Sequence, residues 1–257
     1  MIIDSHAHLS DERLIGRVPQ ISGSLSKEGL ESVFEVGFDL SSSKSAIDLA
    51  SKYDNIYAII GTHPHDAKYY DSQVEEFYLQ NANNQKVLAI GEIGLDYFYD
   101  KSERDVQRDV FARQIVLADK VGLPIVLHIR DAYADAIDIL NAHKDKLSHG
   151  VLLHCYSGSV EMIKQFNKYD CYYALGGAIT FKNAKKEDVI MAIPENRLLV
   201  ETDCPYMTPV PYRGQPNEPK YAQLVVDKIA TVKGVDRKII EQSTCENTKR
   251  LFFKYKK

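Results

Sequence analysis

The chain has 257 residues, 44% hydrophobic and 26% charged, with a net charge of −4. That supplies one sizeable core, at a length α/β barrels reach as a single unit. It excludes a chain wrapped broadly in nucleic acid, which needs a basic domain, though a local basic rim stays open. No apolar run reaches a membrane span, and Asp4 and His6 stand where a signal peptide would be apolar. Cys155, Cys171, Cys204 and Cys245 are scattered without a CxxC pair, as expected of reduced thiols in a cytoplasmic protein.

In chain order, short β-branched runs predict strands at Ile2–Ser5, Ser32–Gly37, Ile56–Gly61, Val87–Glu92, Pro124–His128, Gly150–His154, Cys171–Leu175 and Leu198–Glu201. Amphipathic stretches lie between them. In "ERDVQRDVFARQIVLADKVG", Val106, Val110, Phe111, Ile115, Leu117 and Ala118 recur at helical spacing, with Ser102 as expected cap and Gly122-Leu123-Pro124 as stop. "DAYADAIDILNAHKDKL" predicts the next helix. Strands alternating with helices imply parallel pairing, and eight of each imply a closed (β/α)8 TIM-type barrel. A doubly wound open sheet would carry a Gly-rich phosphate turn after its first strand, where this chain reads "SHAHLSDERL". No linker, low-complexity tract or repeat intervenes, so one domain spanning 1–257 is expected.

Strand after strand ends in a metal-binding residue type. The first runs into His6 and His8, the third into His63 and His65, and the fourth into Glu92 and Asp96. The fifth ends at His128 and Arg130, the sixth at His154, and the eighth at Glu201 and Asp203. In such a barrel these ends form the active face. His6 and His8 share one strand face by the two-residue period, and Asp203 lies beside them across the barrel closure. His128 and His154 sit on adjacent strands, and Glu92 has two oxygens with which to bridge. Four histidines and two carboxylates suit two divalent cations. His143 and His149 read as ordinary surface residues.

The segments "DSHAHL", "GTHPH", "GEIGLDY", "HIRDA", "HCYSG" and "ETDCPYMTPVPYRGQPNEP" together resemble the TatD family of metal-dependent nucleases, within the amidohydrolase-type hydrolases. The resemblance covers the whole chain. It implies one metal on His6, His8, Glu92 and Asp203 and another on Glu92, His128 and His154. It also implies His63 as a phosphate or water contact and Arg213 as a phosphate-binding residue.

The activity expected from it is cleavage of DNA phosphodiester bonds, exonucleolytic, through a water activated by two metals, with Asp203 as general base. Mixed imidazole and carboxylate ligands suit Zn2+, Mn2+, Co2+ or Ni2+, with Mg2+ as a weaker occupant. The expected partner is DNA with single-stranded or frayed ends, with no membrane and with a monomer favoured. Arg130, Lys182, Lys185 and Lys186 are candidates for a basic rim, although the lysines read better as a solvated helix start. Tyr97, Phe98 and Tyr99 suit either stacking on terminal bases or loop packing. The competing readings are a hydrolase of esters or amides, such as an aminoacyl-tRNA deacylase, and a non-catalytic metal-binding protein.

Overall fold

The computed structural model describes residues 1–254. Its strands are β1 (Ile2–Ala7), β2 (Leu30–Val36), β3 (Ile56–Ile60), β4 (Val87–Asp96), β5 (Ile125–Arg130), β6 (Val151–Leu153), β7 (Tyr172–Leu175) and β8 (Leu198–Val200). The helices are α1 (Val18–Ser24), α2 (Leu40–Lys52), α3 (Ser72–Asn81), α4 (Arg104–Val121), α5 (Tyr133–Ala142), α6 (Val160–Phe166), α7 (Glu187–Ala192), α8 (Ala222–Lys233) and α9 (Arg237–Phe252). Each strand pairs in parallel with the next, in the order β1 to β8. The barrel closes where Ala7 bridges Cys204. There the His8 amide donates to the Cys204 carbonyl at 2.7 Å, and the Asp203 amide to the His6 carbonyl at 2.9 Å. The Asp4 carboxylate clasps the same seam, accepting from the Thr202 amide at 2.8 Å and its hydroxyl at 2.5 Å.

Two apolar layers hold the barrel. One packs strands against the surrounding helices, with Ala46, Tyr78, Phe111 and Ile229 among its buried members. The other draws on every strand (Ile3, Phe34, Ile59, Leu88, Val126, Leu152, Ala174 and Leu199 among its members) and so fills the interior. Among the described residues only α9 contributes helical residues to it, placing Phe252 edge-on to Phe34 at 5.0 Å. These buried β-branched and aromatic residues are what the sequence reads as short apolar runs.

β4 and β5 run further than expected, carrying Glu92, Asp96, His128 and Arg130 within the strands. β6 and β8 stop early, which leaves His154, Glu201 and Asp203 on the following loops. Gly94 permits the close approach of β4 to β5. Its φ is +140°, and a Cβ there would lie 2.0 Å from the His128 carbonyl oxygen. Ser102 is not the cap of α4. Its hydroxyl instead donates to the His65 carbonyl at 2.8 Å, a tertiary contact that outcompetes the local one. Gly122, with φ +71°, ends α4 as its pattern requires. α5 ends at Ala142, and Lys144–Lys146 form a separate 3-10 turn. Among the described residues no helix is long and apolar enough to cross a membrane, and the four cysteines are free thiols.

Candidate metal centre

Because the strands are parallel, all their C-terminal ends open on one face, and a cavity of about 690 Å³ lies there. Glu92 is its centre, buried on β4. Its Oε2 faces His6 Nε2 at 3.4 Å and His8 Nε2 at 4.0 Å. Its Oε1 faces His154 Nε2 at 2.9 Å, His128 Nδ1 at 3.0 Å and His63 Nε2 at 3.5 Å. Asp203 Oδ1 stands 3.4 Å from His8 Nε2 and 3.9 Å from His6 Nε2. The chain adopts φ +55° at Asp203, a conformation aspartate tolerates better than most residues. The groups that can hold an ion are His6 with His8 and Asp203, His6 with Glu92 and His154, His63 with Glu92 and His128, and His63 with His65 and Asp96.

The outward contacts of the rings decide which nitrogen faces the centre. His8 donates Nδ1–H to the Val36 carbonyl at 3.0 Å, which turns Nε2 toward the centre. His128 places Nε2 3.0 Å from Asp96 Oδ2, leaving Nδ1 inward. His154 has Nδ1 3.7 Å from Glu201 Oε1 and Nε2 inward. His63 is turned the other way. Its Nδ1 accepts the His65 amide at 3.1 Å, so a neutral ring carries its proton on Nε2, toward Glu92. Both ring nitrogens of His6 and Nδ1 of His154 are buried without a hydrogen-bond partner. Buried imidazole and carboxylate groups left this way are costly unless something charged completes them, and a nitrogen and oxygen donor set fits a divalent cation.

Electrostatics point the same way. Burial opposes the Glu92 charge, but the positive charge favoured on His154 outweighs it and holds the carboxyl well below its usual range. Burial likewise opposes charge on Asp203, where the hydrogen bond from His8 prevails and lowers it. Burial disfavours a charged His8, yet its bond to Asp203 raises the ring to about 9. His63 is pushed well below its usual value by burial and then by His128, so it stays neutral. The carboxylates are thus held anionic.

Three residues that sequence reasoning left without a role complete the arrangement. Asp96 Oδ2 lies 3.0 Å from both His128 Nε2 and His65 Nε2, and its Oδ1 accepts the amides of Phe98 at 3.0 Å and Tyr99 at 2.8 Å. Glu201 accepts the Cys155 amide at 2.6 Å beside His154. His65 joins Asp96 to the loop after β3. The signal was present for Asp96: positions 92, 94 and 96 share one strand face.

Arg130 lines the cavity with its guanidinium 3.8 Å above the Phe98 ring. Phe98 and Tyr99 are exposed, whereas Tyr97 donates its hydroxyl to Asp135 at 2.6 Å and packs the loop. Arg213 is exposed, stacks 3.8 Å above Phe181, and is not among the residues lining the cavity. Lys182 and Lys185 are exposed as expected of a solvated helix start, but Lys186 is tied to the carbonyls of Ser157 and Gly158. His143 bonds the Ile139 carbonyl at the end of α5, and His149 lies before β6 at the barrel's other end.

A family model described as TatD related DNase matches residues 3–253. The metal-dependent hydrolase YabD of Bacillus subtilis is 42% identical over 253 residues, covering 98% of this chain and 99% of that protein. A protein of Enterobacter lignolyticus named 3'-5' ssDNA/RNA exonuclease TatD is 32% identical over 230 residues, covering 87% and 88%. The crystal structure of YJJV, a TatD homologue from Escherichia coli K12, superposes with a TM-score of 0.92 at 29% identity, covering 98% of each chain.

Proposed function

The chain belongs to the TatD-related DNase family of metal-dependent hydrolases, and from that premise we propose that it cleaves DNA phosphodiester bonds, working from single-stranded or frayed ends. The observation that carries this reading is the division of Glu92, whose two oxygens face two separate sets of histidines. His6, His8, Asp203 and Glu92 would hold one divalent cation, and Glu92, His128 and His154 would hold another. Bound there, the cations supply Lewis acidity and positive charge at the phosphoryl group. Asp203 accepts the proton of the attacking water, which general-base action requires within hydrogen-bond reach. His63, neutral and with its proton on Nε2, donates to a phosphate oxygen rather than ligating. Arg130 contacts a neighbouring phosphate, and Arg213 an outer one.

The name of the Enterobacter relative supports a nucleic-acid substrate for this chain. The test is turnover by metal-reconstituted protein of end-labelled single- and double-stranded DNA, beside a carboxylester and a phosphotriester. Stepwise shortening of the single strand is expected. Turnover of the carboxylester alone would establish the ester or amide hydrolase instead.

A further inference from the structure

Three exposed aromatic rings line the cavity on opposite sides of Glu92. Phe38 and Tyr206, 39% and 46% exposed, both stand beside His8, with ring centroids 5.9 and 6.0 Å away and planes at 69° and 71° to it. Tyr99, 54% exposed, stands 5.4 Å from His65 at 88°, next to the His128 side of the centre. Singly exposed apolar residues need no account, but several rings around one mouth form a surface for something apolar and flat.

Each ring is anchored to the polar cluster by backbone. The Tyr206 amide donates to the Asp203 carbonyl at 2.8 Å, the Phe38 carbonyl accepts the His63 amide at 2.8 Å, and the Tyr99 amide donates to Asp96. Each tyrosine also carries a cation. Arg13, clamped to Asp11 at 2.8 Å, lies 4.6 Å from the Tyr206 ring, whose hydroxyl meets the same Asp11 at 3.3 Å. Arg130 lies 4.8 Å from Tyr99, and Lys101 lies 5.5 Å from it on the same ring. Rings backed by cations and set at fixed distances from a phosphate-cleaving centre match the chemistry of a single strand, whose bases stack while its phosphates seek positive charge.

We propose that these walls are two nucleobase subsites flanking the scissile phosphate. Tyr206 and Phe38 take the base on the His8 and Asp203 side, and Tyr99 takes the base on the His65 and His128 side. The assignment rests on the phosphodiester reading above. It makes the unpaired state of the strand a requirement, since a base inside a duplex has both faces covered and must leave the stack to reach a ring.

The experiment compares metal-reconstituted full chains on two diesters, single-stranded oligothymidylate and methyl p-nitrophenyl phosphate, the second lacking a nucleobase. For Tyr206→Ala and for Tyr99→Ala, the ratio of kcat/KM on the oligonucleotide to that on the small diester falls about tenfold, mainly through KM. Tyr206→Phe keeps the wild-type ratio, because the ring and not the hydroxyl does the stacking. An unchanged ratio in both alanine variants overturns the subsites, and so does a Tyr206→Phe loss as large as that of Tyr206→Ala. Failure of the wild-type chain on both diesters would overturn the phosphodiester reading and this assignment with it. Wild-type turnover of both separates the two cases.

Discussion

Asp96→Asn is the sharpest test of how the centre is held together. Asp96 accepts on both oxygens: two backbone amides on Oδ1, and the Nε2 atoms of His65 and His128, each at 3.0 Å, on Oδ2. Burial disfavours its charge, and the bonds from His128 and His65 hold its carboxyl below the usual range regardless. Asparagine has one accepting oxygen and one NH2 group. If the oxygen keeps the amides, the NH2 faces two imidazole N–H groups, and His128 must move its proton to Nδ1. That is the nitrogen 3.0 Å from Glu92, and once protonated it has no lone pair for a cation. Loss of such an outer partner typically costs 10–100-fold in metal affinity, about 1.4–2.7 kcal/mol. Titration calorimetry of chelator-stripped protein, with elemental analysis, should show one of two divalent ions weakened by that factor and the other nearly unaffected. Two ions bound with wild-type affinity by a folded variant would refute the claim that Asp96 sets the His128 tautomer.

Further expected outcomes separate the remaining roles. Asp203→Asn retains most of the metal by elemental analysis and loses about 10²–10⁴-fold in DNA turnover, whereas Glu92→Ala loses metal from both positions; equal metal loss in the two variants would make Asp203 a ligand only. Arg213→Ala, whose side chain stacks on Phe181 outside the cavity lining, leaves metal content intact and raises KM on DNA about threefold, as for one exposed phosphate contact. Burial raises Asp4 from 3.8 to about 8. Between those values the folded chain holds a proton the unfolded chain has released, so this group's contribution to stability declines as pH rises. Asp4→Asn is neutral throughout, so its melting temperature should rise relative to wild type from about pH 5 to about pH 8; a constant difference would remove Asp4 as the titrating group.

Much of the architecture was legible because burial writes itself into composition. Strands covered on both faces must be apolar, and the runs at Ile56–Ile60 and Val151–Leu153 announce themselves between helices. His6, His8, Glu92, His128, His154 and Asp203 were visible as polar residues closing such runs, and the structure gathers them around one carboxylate. Tertiary preferences were less visible. Ser102 has the residue type of a cap, yet the His65 carbonyl is the partner it finds. Tyr206 and Phe38 sit in loops 168 positions apart in the sequence, and only barrel closure brings both to His8. Arg213 follows the same loop as Tyr206 but is drawn to Phe181.

The deepest gap lies in the rings themselves. A sequence names a histidine but not which of its nitrogens is free, and that choice separates a ligand from a donor. His63 and His128 stand on the same carboxylate oxygen, at 3.5 and 3.0 Å, with ring centroids 4.4 Å apart. A backbone amide donates to one, and the other lies against a carboxylate. An amide can only donate, so it takes the lone pair of His63 Nδ1 and leaves the proton on Nε2. An ionised carboxylate can only accept, so Asp96 keeps a proton on His128 Nε2, and Nδ1 is the nitrogen turned to Glu92. Two chemically identical side chains therefore turn opposite nitrogens to one oxygen, set by partners that face away from the centre.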